Sequence, residues 1–425
     1  MSHFTYQDGV LHAESTPLPQ IAAQFGTPTY VYSKAQLLAN YAAYADACAG
    51  RDALVCYAMK ANSNLAILDL LARQGAGFDI VSGGELLRVL AIGADPGKVI
   101  FSGVGKSEDE MRLALEHGFL CSNVESIPEL HRLNAVAGAM GKRAPVSLRV
   151  NPNVDAKTHP YIATGLKASK FGVAFDDALA TYRAAASLPH LIVAGIDCHI
   201  GSQLLDDAPL LEALDKLIEL IDTLGDEGIV LHHLDIGGGI GINYGEAGEA
   251  APVPVADYLG RLFKRIDCWR AERHAGVPIK VIFEPGRSIV GDIGVLLTAI
   301  EYLKPGAEKN FCVVDAAMND LMRPALYQAW MGVQAVLPRD AEAHTYDVVG
   351  PVCESGDWLA RDRSLAVRPG DLLAIMTAGA YGLTMSSNYN TRGRACEIMV
   401  DGDSIHLIRQ RENPADLFAL ESIIR

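Results

Sequence analysis

An α/β chain built as a TIM-type (β/α)8 barrel with a second, C-terminal β-rich domain is the fold that this 425-residue sequence predicts. Between Tyr30 and Gly286, eight apolar, β-branched-rich runs of strand length recur, most of them separated by a helical pattern. That is the alternation a (β/α)8 barrel places in roughly 250 residues. After Arg287 the helical pattern stops, and short alternating runs with turn signals extend from Val295 to Val400. An open, doubly wound sheet would also alternate, but the Gly-x-Gly-x-x-Gly turn expected after its first strand is missing.

The elements follow in order. Gln7-Asp8-Gly9-Val10 is a hairpin turn between short apolar arms, and Pro19 to Phe25 is a short helix closed by Gly26. The barrel strands are predicted at Leu54–Met59, Gly77–Val81, Val99–Ser102, Phe119–Val124, Val146–Val150, Gly195–Cys198, Leu231–Ile236 and Val281–Phe283. Ser107-Glu108-Asp109-Glu110 is a capping box ahead of Met111, Ala114 and Leu115, with Gly118 just past the end, and Ser126 to Glu129 repeats the start signal. Two connections, Asn153 to Pro189 and Asn243 to Ile279, exceed ordinary loop lengths and should carry extra elements. Lys304-Pro305-Gly306, Arg368-Pro369-Gly370-Asp371 and Asp401-Gly402-Asp403 punctuate the β-rich part. The expected division is 1–30 packing with the β-domain, 31–290 as the barrel and 291–425 as the β-rich domain.

Half the residues are hydrophobic, enough for a sizeable core, and the net charge is -15. An acidic surface repels nucleic acid and anionic membrane, so a small-molecule partner is expected. The eight cysteines contain no Cys-x-x-Cys pair and no His cluster at metal-ligand spacing, so no metal is expected. With neither a secretory leader pattern nor an apolar run of membrane-spanning length, the expectation is a reduced, cytoplasmic protein.

In such a barrel the chemistry lies where the strands end. Those ends carry Lys60, Asp79 with Ser82, Gly103, Glu125, Asn151, His199, Gly237 to Gly239, and Glu284 to Arg287. Lys60 closes an apolar run. It is either a solvated strand cap or a partly buried amine able to form a Schiff base with an aldehyde cofactor. Gly237-Gly238-Gly239 after strand seven is a flexible turn or an anion cradle where barrels hold phosphate. His199 after strand six is a structural imidazole or a flat ring for a planar cofactor to stack on. Glu284, in Glu284-Pro285-Gly286-Arg287, either pairs with Arg287 or holds a pyridine nitrogen protonated.

Together with Cys353-Glu354-Ser355-Gly356-Asp357, the runs Tyr57 to Asn62, His199 to Gln203, Gly237 to Gly239 and Glu284 to Arg287 resemble the alanine-racemase-like, fold type III pyridoxal-phosphate decarboxylases over nearly the whole chain. Within them, Met322-Arg323-Pro324-Ala325-Leu326-Tyr327 and Asn151 to His159 are similar to the diaminopimelate decarboxylase family rather than to its ornithine or arginine relatives. The resemblance implies decarboxylation of meso-2,6-diaminopimelate to L-lysine and CO2 by a homodimer whose active sites are shared across the interface. It implies pyridoxal 5'-phosphate on Lys60, His199 stacked on the ring, and Glu284 at the pyridine nitrogen. Ser202, Gly237, Gly238, Gly239 and Tyr381 would surround the phosphate, with Gly286 and Arg287 beside it and Asp79 near the lysine. Arg287, Arg323, Tyr327, Glu354 and Tyr381 would touch substrate, and Cys353 would act as proton donor from the partner subunit. A thiol is a suitable acid for this, although a free cysteine is also a common core residue. The rival readings are a racemase, an ornithine or arginine decarboxylase, and a non-catalytic cofactor-binding relative.

Overall fold

All eight predicted barrel strands form, and they do so because each is a short run whose side chains are mostly buried. In this computed structural model, which describes residues 3–155, 164–165, 169–273 and 278–424, they are β1 (Ala53–Ala58), β2 (Gly77–Ile80), β3 (Val99–Phe101), β4 (Cys121–Val124), β5 (Ala144–Asn151), β6 (Leu191–Asp197), β7 (His233–Asp235) and β8 (Lys280–Phe283). Neighbours pair in parallel, and β8 pairs back onto β1, so the sheet closes. Closure removes every edge and brings the ends of distant strands into one ring. Inside the ring, Cys56, Ile100, Cys121 and Ile282 pack together.

The helices are started by the side chains that the pattern named. Ser107 and Glu110 form the reciprocal capping box, with Gly118 in the left-handed conformation at the far end; such a cap is worth about 1 kcal/mol. Ser126 likewise caps the helix Ile127–Ala139, but its Glu129 turns elsewhere. Its carboxylate accepts from Lys106 Nζ at 2.7 Å and from the Glu125 N–H at 2.9 Å. Lys106 also donates to the carbonyls of Gly103 and Asn123, so all three of its ammonium protons are used in a buried site. Breaking a buried pair of this kind costs about 3–5 kcal/mol. Of the two long connections, the first carries Val173–Ala174 and the helix Phe175–Ser187, and the second carries the helix Val255–Arg273.

The chain divides into two compact units. One is Tyr41–Ile242 with Ala251–Ser288, and contains the barrel; the other is Met1–Asn40, Asn243–Ala250 and Ile289–Arg425. The second unit is organised on Gly294–Lys304, an eleven-residue strand that pairs with Asn310–Val314, with Leu372–Ile375 and with Thr29–Ser33. Thr29–Ser33 lies between it and Cys396–Asp401. All five residues of Thr29–Ser33 are buried, which erases the in–out alternation by which a strand is usually recognised. On one side, Leu11, Leu18 and Ile21 from the N-terminal hairpin and helix pack with Val31, Val295, Leu297, Ile398 and Val400. No helix among the described residues is long and apolar enough to cross a membrane.

Candidate active site

Lys60 stands in the single 3-10 turn Met59–Ala61 that ends β1. The Tyr57 hydroxyl donates to the Asn62 carbonyl at 2.8 Å, and the Ala58 N–H donates to the Pro285 carbonyl at 3.0 Å. These bonds fix the turn against the loop after β8. Gly286 keeps this approach close, since a Cβ there would stand 3.2 Å from the Ala58 and Ala61 methyls, tighter than ordinary van der Waals contact. Lys60 Nζ lies 3.0 Å from Asp79 Oδ2 at the end of β2; the lysine side chain is 36% exposed while the aspartate is wholly buried. The amine therefore lies at the mouth of the barrel, partly exposed and paired with a buried carboxylate. Nearby, burial pushes the Glu85 carboxyl up to about 7, against the N–H of Val81 that donates to it.

The three glycines after β7 are required by space. A Cβ on Gly238 would fall 2.1 Å from the Glu284 carbonyl oxygen, one on Gly239 2.4 Å from the Gly201 carbonyl, and one on Gly237 2.5 Å from the Cys198 carbonyl. Gly237 and Gly239 also have φ of 68° and 115°, open to glycine at little cost. Two of their N–H groups already have internal partners. Gly237 donates to Asp235 Oδ1 at 2.8 Å and Gly238 to His199 Nδ1 at 3.2 Å. The second bond makes Nδ1 of His199 an acceptor, so the imidazole is neutral with its proton on Nε2. Its pKa is accordingly pushed well below 6.5, by burial first and then by the charges of Lys60 and Arg149. Thr164 and Arg149 hold the His199 carbonyl at 2.8 and 3.4 Å. Beside the glycines, Arg287 donates through Nε and Nη2 to the Ser202 hydroxyl at 3.3 and 3.2 Å.

Glu284 follows β8 and is 5% exposed. Its Oε1 receives no N–H or O–H from the described residues. Burial, then the charges of Asp235, Asp79 and Asp197, push its pKa well above the usual carboxylate value. Asp197 is raised for the same reasons, while Asp235 rises to about 7. The pattern reading missed Asp197, Asp235 and Arg149. The signal was present: each is a charged residue within a run predicted as a barrel strand.

In the other unit, Arg323 begins the short helix Arg323–Tyr327; it is buried, with its guanidinium 4.5 Å over the Tyr244 ring. Tyr327 ends that helix. Cys353 is exposed in a turn segment rather than in a core, and its N–H donates to the Asn390 side chain at 3.2 Å. The N–H of Glu354 beside it donates to the Val352 carbonyl at 2.8 Å. Tyr381 is held at φ 54°, a conformation a bulky residue rarely adopts without cause. Of the stretch Asn151 to His159, residues 156–159 lie outside the described residues.

Residues 34–291 match the family described as pyridoxal-dependent decarboxylase, pyridoxal binding domain. Over 424 residues, all of both chains, the sequence is 58% identical to the diaminopimelate decarboxylase of Pseudomonas aeruginosa. To that of Vibrio cholerae it is 56% identical over 425 residues, again all of both chains. Among solved structures, diaminopimelate decarboxylase from M. jannaschii in co-complex with L-lysine matches 99% of this chain and 98% of its own at a TM-score of 0.92 and 36% identity. The Helicobacter pylori enzyme complexed with L-lysine matches 95% of this chain and 99% of its own at 0.88 and 42%. With the barrel, the lysine at its mouth and likeness of this extent over the full length, the chain belongs to the diaminopimelate decarboxylase family of pyridoxal-dependent decarboxylases.

Proposed function

We propose that the chain decarboxylates meso-2,6-diaminopimelate to L-lysine and CO2, using pyridoxal 5'-phosphate attached at Lys60. The observation that carries the reading is the 58% identity over the full length with a diaminopimelate decarboxylase. The residues present fit the cofactor: an amine at a strand end, a buried carboxyl with an oxygen that takes no donor from the described residues, and a glycine turn without room for side chains. When bound, pyridoxal phosphate supplies an aldehyde that condenses with amines and a cationic ring that draws electrons from the carbon losing CO2.

The other tasks fall to this chain. Asp79 orients the Lys60 amine. Ser202, Arg287 and the turn Gly237 to Gly239 hold the phosphate, together with Tyr381, and Gly286 lets Arg287 approach. His199, neutral and anchored through Nδ1, offers a flat face to the ring, and Glu284 presents its carboxyl to the ring nitrogen. Arg323 grips the distal carboxylate of the substrate with its planar fork, Glu354 takes the distal ammonium, and Tyr327 orients the pair. Cys353 Sγ–H supplies the proton to the carbon that has lost CO2. Its exposure in the single chain supports a homodimer in which Cys353 completes the partner's site. We take 31–290 as the cofactor-binding domain and 291–425, joined by 1–30, as the β-rich domain; the two compact units support this, with residues 31–40, Asn243–Ala250 and 289–290 falling in the β-rich one. Eight free cysteines and a net charge of -15 support a cytoplasmic enzyme that binds neither nucleic acid nor membrane.

The test is CO2 release from a panel of diaminopimelate, ornithine, arginine and lysine. Diaminopimelate should be preferred by a wide margin. Preference for ornithine or arginine would restore the rival decarboxylase reading, and no release from any of the four would favour a racemase or a non-catalytic relative.

A further inference from the structure

Three strands turn carboxylates inward at one level of the barrel. Asp197 on β6 and Asp235 on β7 are register partners, and Glu284 directly follows β8. One oxygen from each lies within 4.8 Å of the others, and all three side chains are buried. The groups facing them from other strands are Cys56 on β1, Asp79 on β2, Cys121 on β4 and Arg149 on β5, with Lys60 after β1 and Glu125 after β4. Burial holds both thiols neutral. The two cations are shared: Lys60 is paired with Asp79, and Arg149 lies 3.5 Å from Glu125. Three like charges this close in a buried site cannot all be ionised at neutral pH, so the trio retains protons.

Geometry places those protons. Gly237 N–H donates to Asp235 Oδ1, which favours the charge on Asp235. Oxygens of Asp235 and Glu284 lie within 4.8 Å of each other in a buried site, and two carboxyl groups so close are accommodated when a proton stays with one of them. Asp197 Oδ1, Asp235 Oδ2 and Glu284 Oε1 receive no N–H or O–H from the described residues. An ionised Asp235 flanked by protonated Asp197 and Glu284 satisfies all of these observations.

We propose that Asp235 is the positioning residue of Glu284: the pair shares a proton that fixes the Glu284 carboxyl, and on cofactor binding this proton passes to the ring nitrogen. The Glu284 O–H bond breaks, an N–H bond forms with the nitrogen lone pair, and a carboxylate is left beside a pyridinium with no net change of charge. Asp235 then adds a second negative charge that keeps the ring nitrogen protonated. The inference rests on the reading of Glu284 as the ring-nitrogen partner.

Infrared spectra of the cofactor-free full chain at neutral pH, in H2O and D2O, test it directly. The wild type should show the deuterium-sensitive C=O stretch of a buried carboxylic acid. Glu284→Gln should remove the Glu284 component and leave that of Asp197, Asp235→Asn should shift the Glu284 component to higher frequency, and pyridoxal phosphate should bleach it. Absence of a Glu284 band in the wild type, or a band that the cofactor leaves unchanged, overturns the proposal without need of any variant. In the loaded enzyme, Asp235→Asn should lower the pH at which the cofactor absorbance titrates by about one unit and cut kcat roughly tenfold at unchanged KM. If Glu284→Gln leaves the cofactor spectrum as in the wild type, the ring-nitrogen reading itself falls. If Glu284→Gln alters the spectrum and Asp235→Asn leaves the titration in place, only the role of Asp235 falls.

Discussion

Lys60 Nζ and Asp79 Oδ2 stand 3.0 Å apart, one partly open to solvent and the other sealed beneath it. The aspartate thus holds the amine at the mouth of the barrel while leaving it reachable from outside. Borohydride reduction of the loaded enzyme should fix the pyridoxyl group on Lys60 and on no other lysine, read by peptide mapping. Lys60→Ala should lose the cofactor absorbance band and activity together. An adduct elsewhere would displace the site.

Gly238→Ala should fold poorly or lose cofactor affinity, because its methyl group would fall 2.1 Å from the Glu284 carbonyl oxygen. Overpacking costs typically about 1–3 kcal/mol, and here the obstacle is backbone, which yields less readily than a side chain. Thermal unfolding and equilibrium cofactor binding check this; a variant with wild-type values for both would remove the glycine turn from the site.

Mixing two nearly inactive variants tests the shared site. Lys60→Ala and Cys353→Ala dimers, allowed to exchange subunits, should regain roughly a quarter of wild-type activity, since half the dimers are mixed and each holds one intact site. Exchange shown by differential labelling with no recovery would put both residues in the same chain's site.

Arg323→Lys keeps the charge of a buried group but loses the planar fork stacked over Tyr244. A charge-assisted bond is worth about 1.5–3 kcal/mol, so kcat/KM for diaminopimelate should fall on the order of 10- to 100-fold while the cofactor band stays. Normal turnover by this variant would move substrate choice elsewhere.

Acid sensitivity should reside partly in His233. Burial pushes its pKa from 6.5 down to about 4, and Gly195 gives the ring its room: a Cβ there would fall 2.0 Å from Nε2. Between those two values the unfolded chain binds more protons than the folded one. Stability is therefore complete above about pH 6.5 and is lost as the pH falls toward 4, a loss approaching about 3 kcal/mol at the lower end. Unfolding midpoints across that window should fall more steeply for the wild type than for His233→Gln. Parallel curves would exclude the histidine.

The sequence by itself determined every element whose cue is local. Eight buried runs separated by helical patterns are enough to identify a barrel, because strand length and burial are written along the chain. Lys60, His199, the three glycines and Glu284 were legible as polar residues at strand ends, where a barrel exposes its chemistry. The strand Thr29–Ser33 was not, since burial on both faces removes its alternation and its partners, Gly294–Lys304 and Cys396–Asp401, lie hundreds of residues away. Nor was the acid trio. Asp197, Asp235 and Glu284 come from three strands, and only register and ring closure set their oxygens within 4.8 Å. Periodicity tells which face a side chain takes, while the tertiary fold decides which charges must share it and therefore where the protons reside.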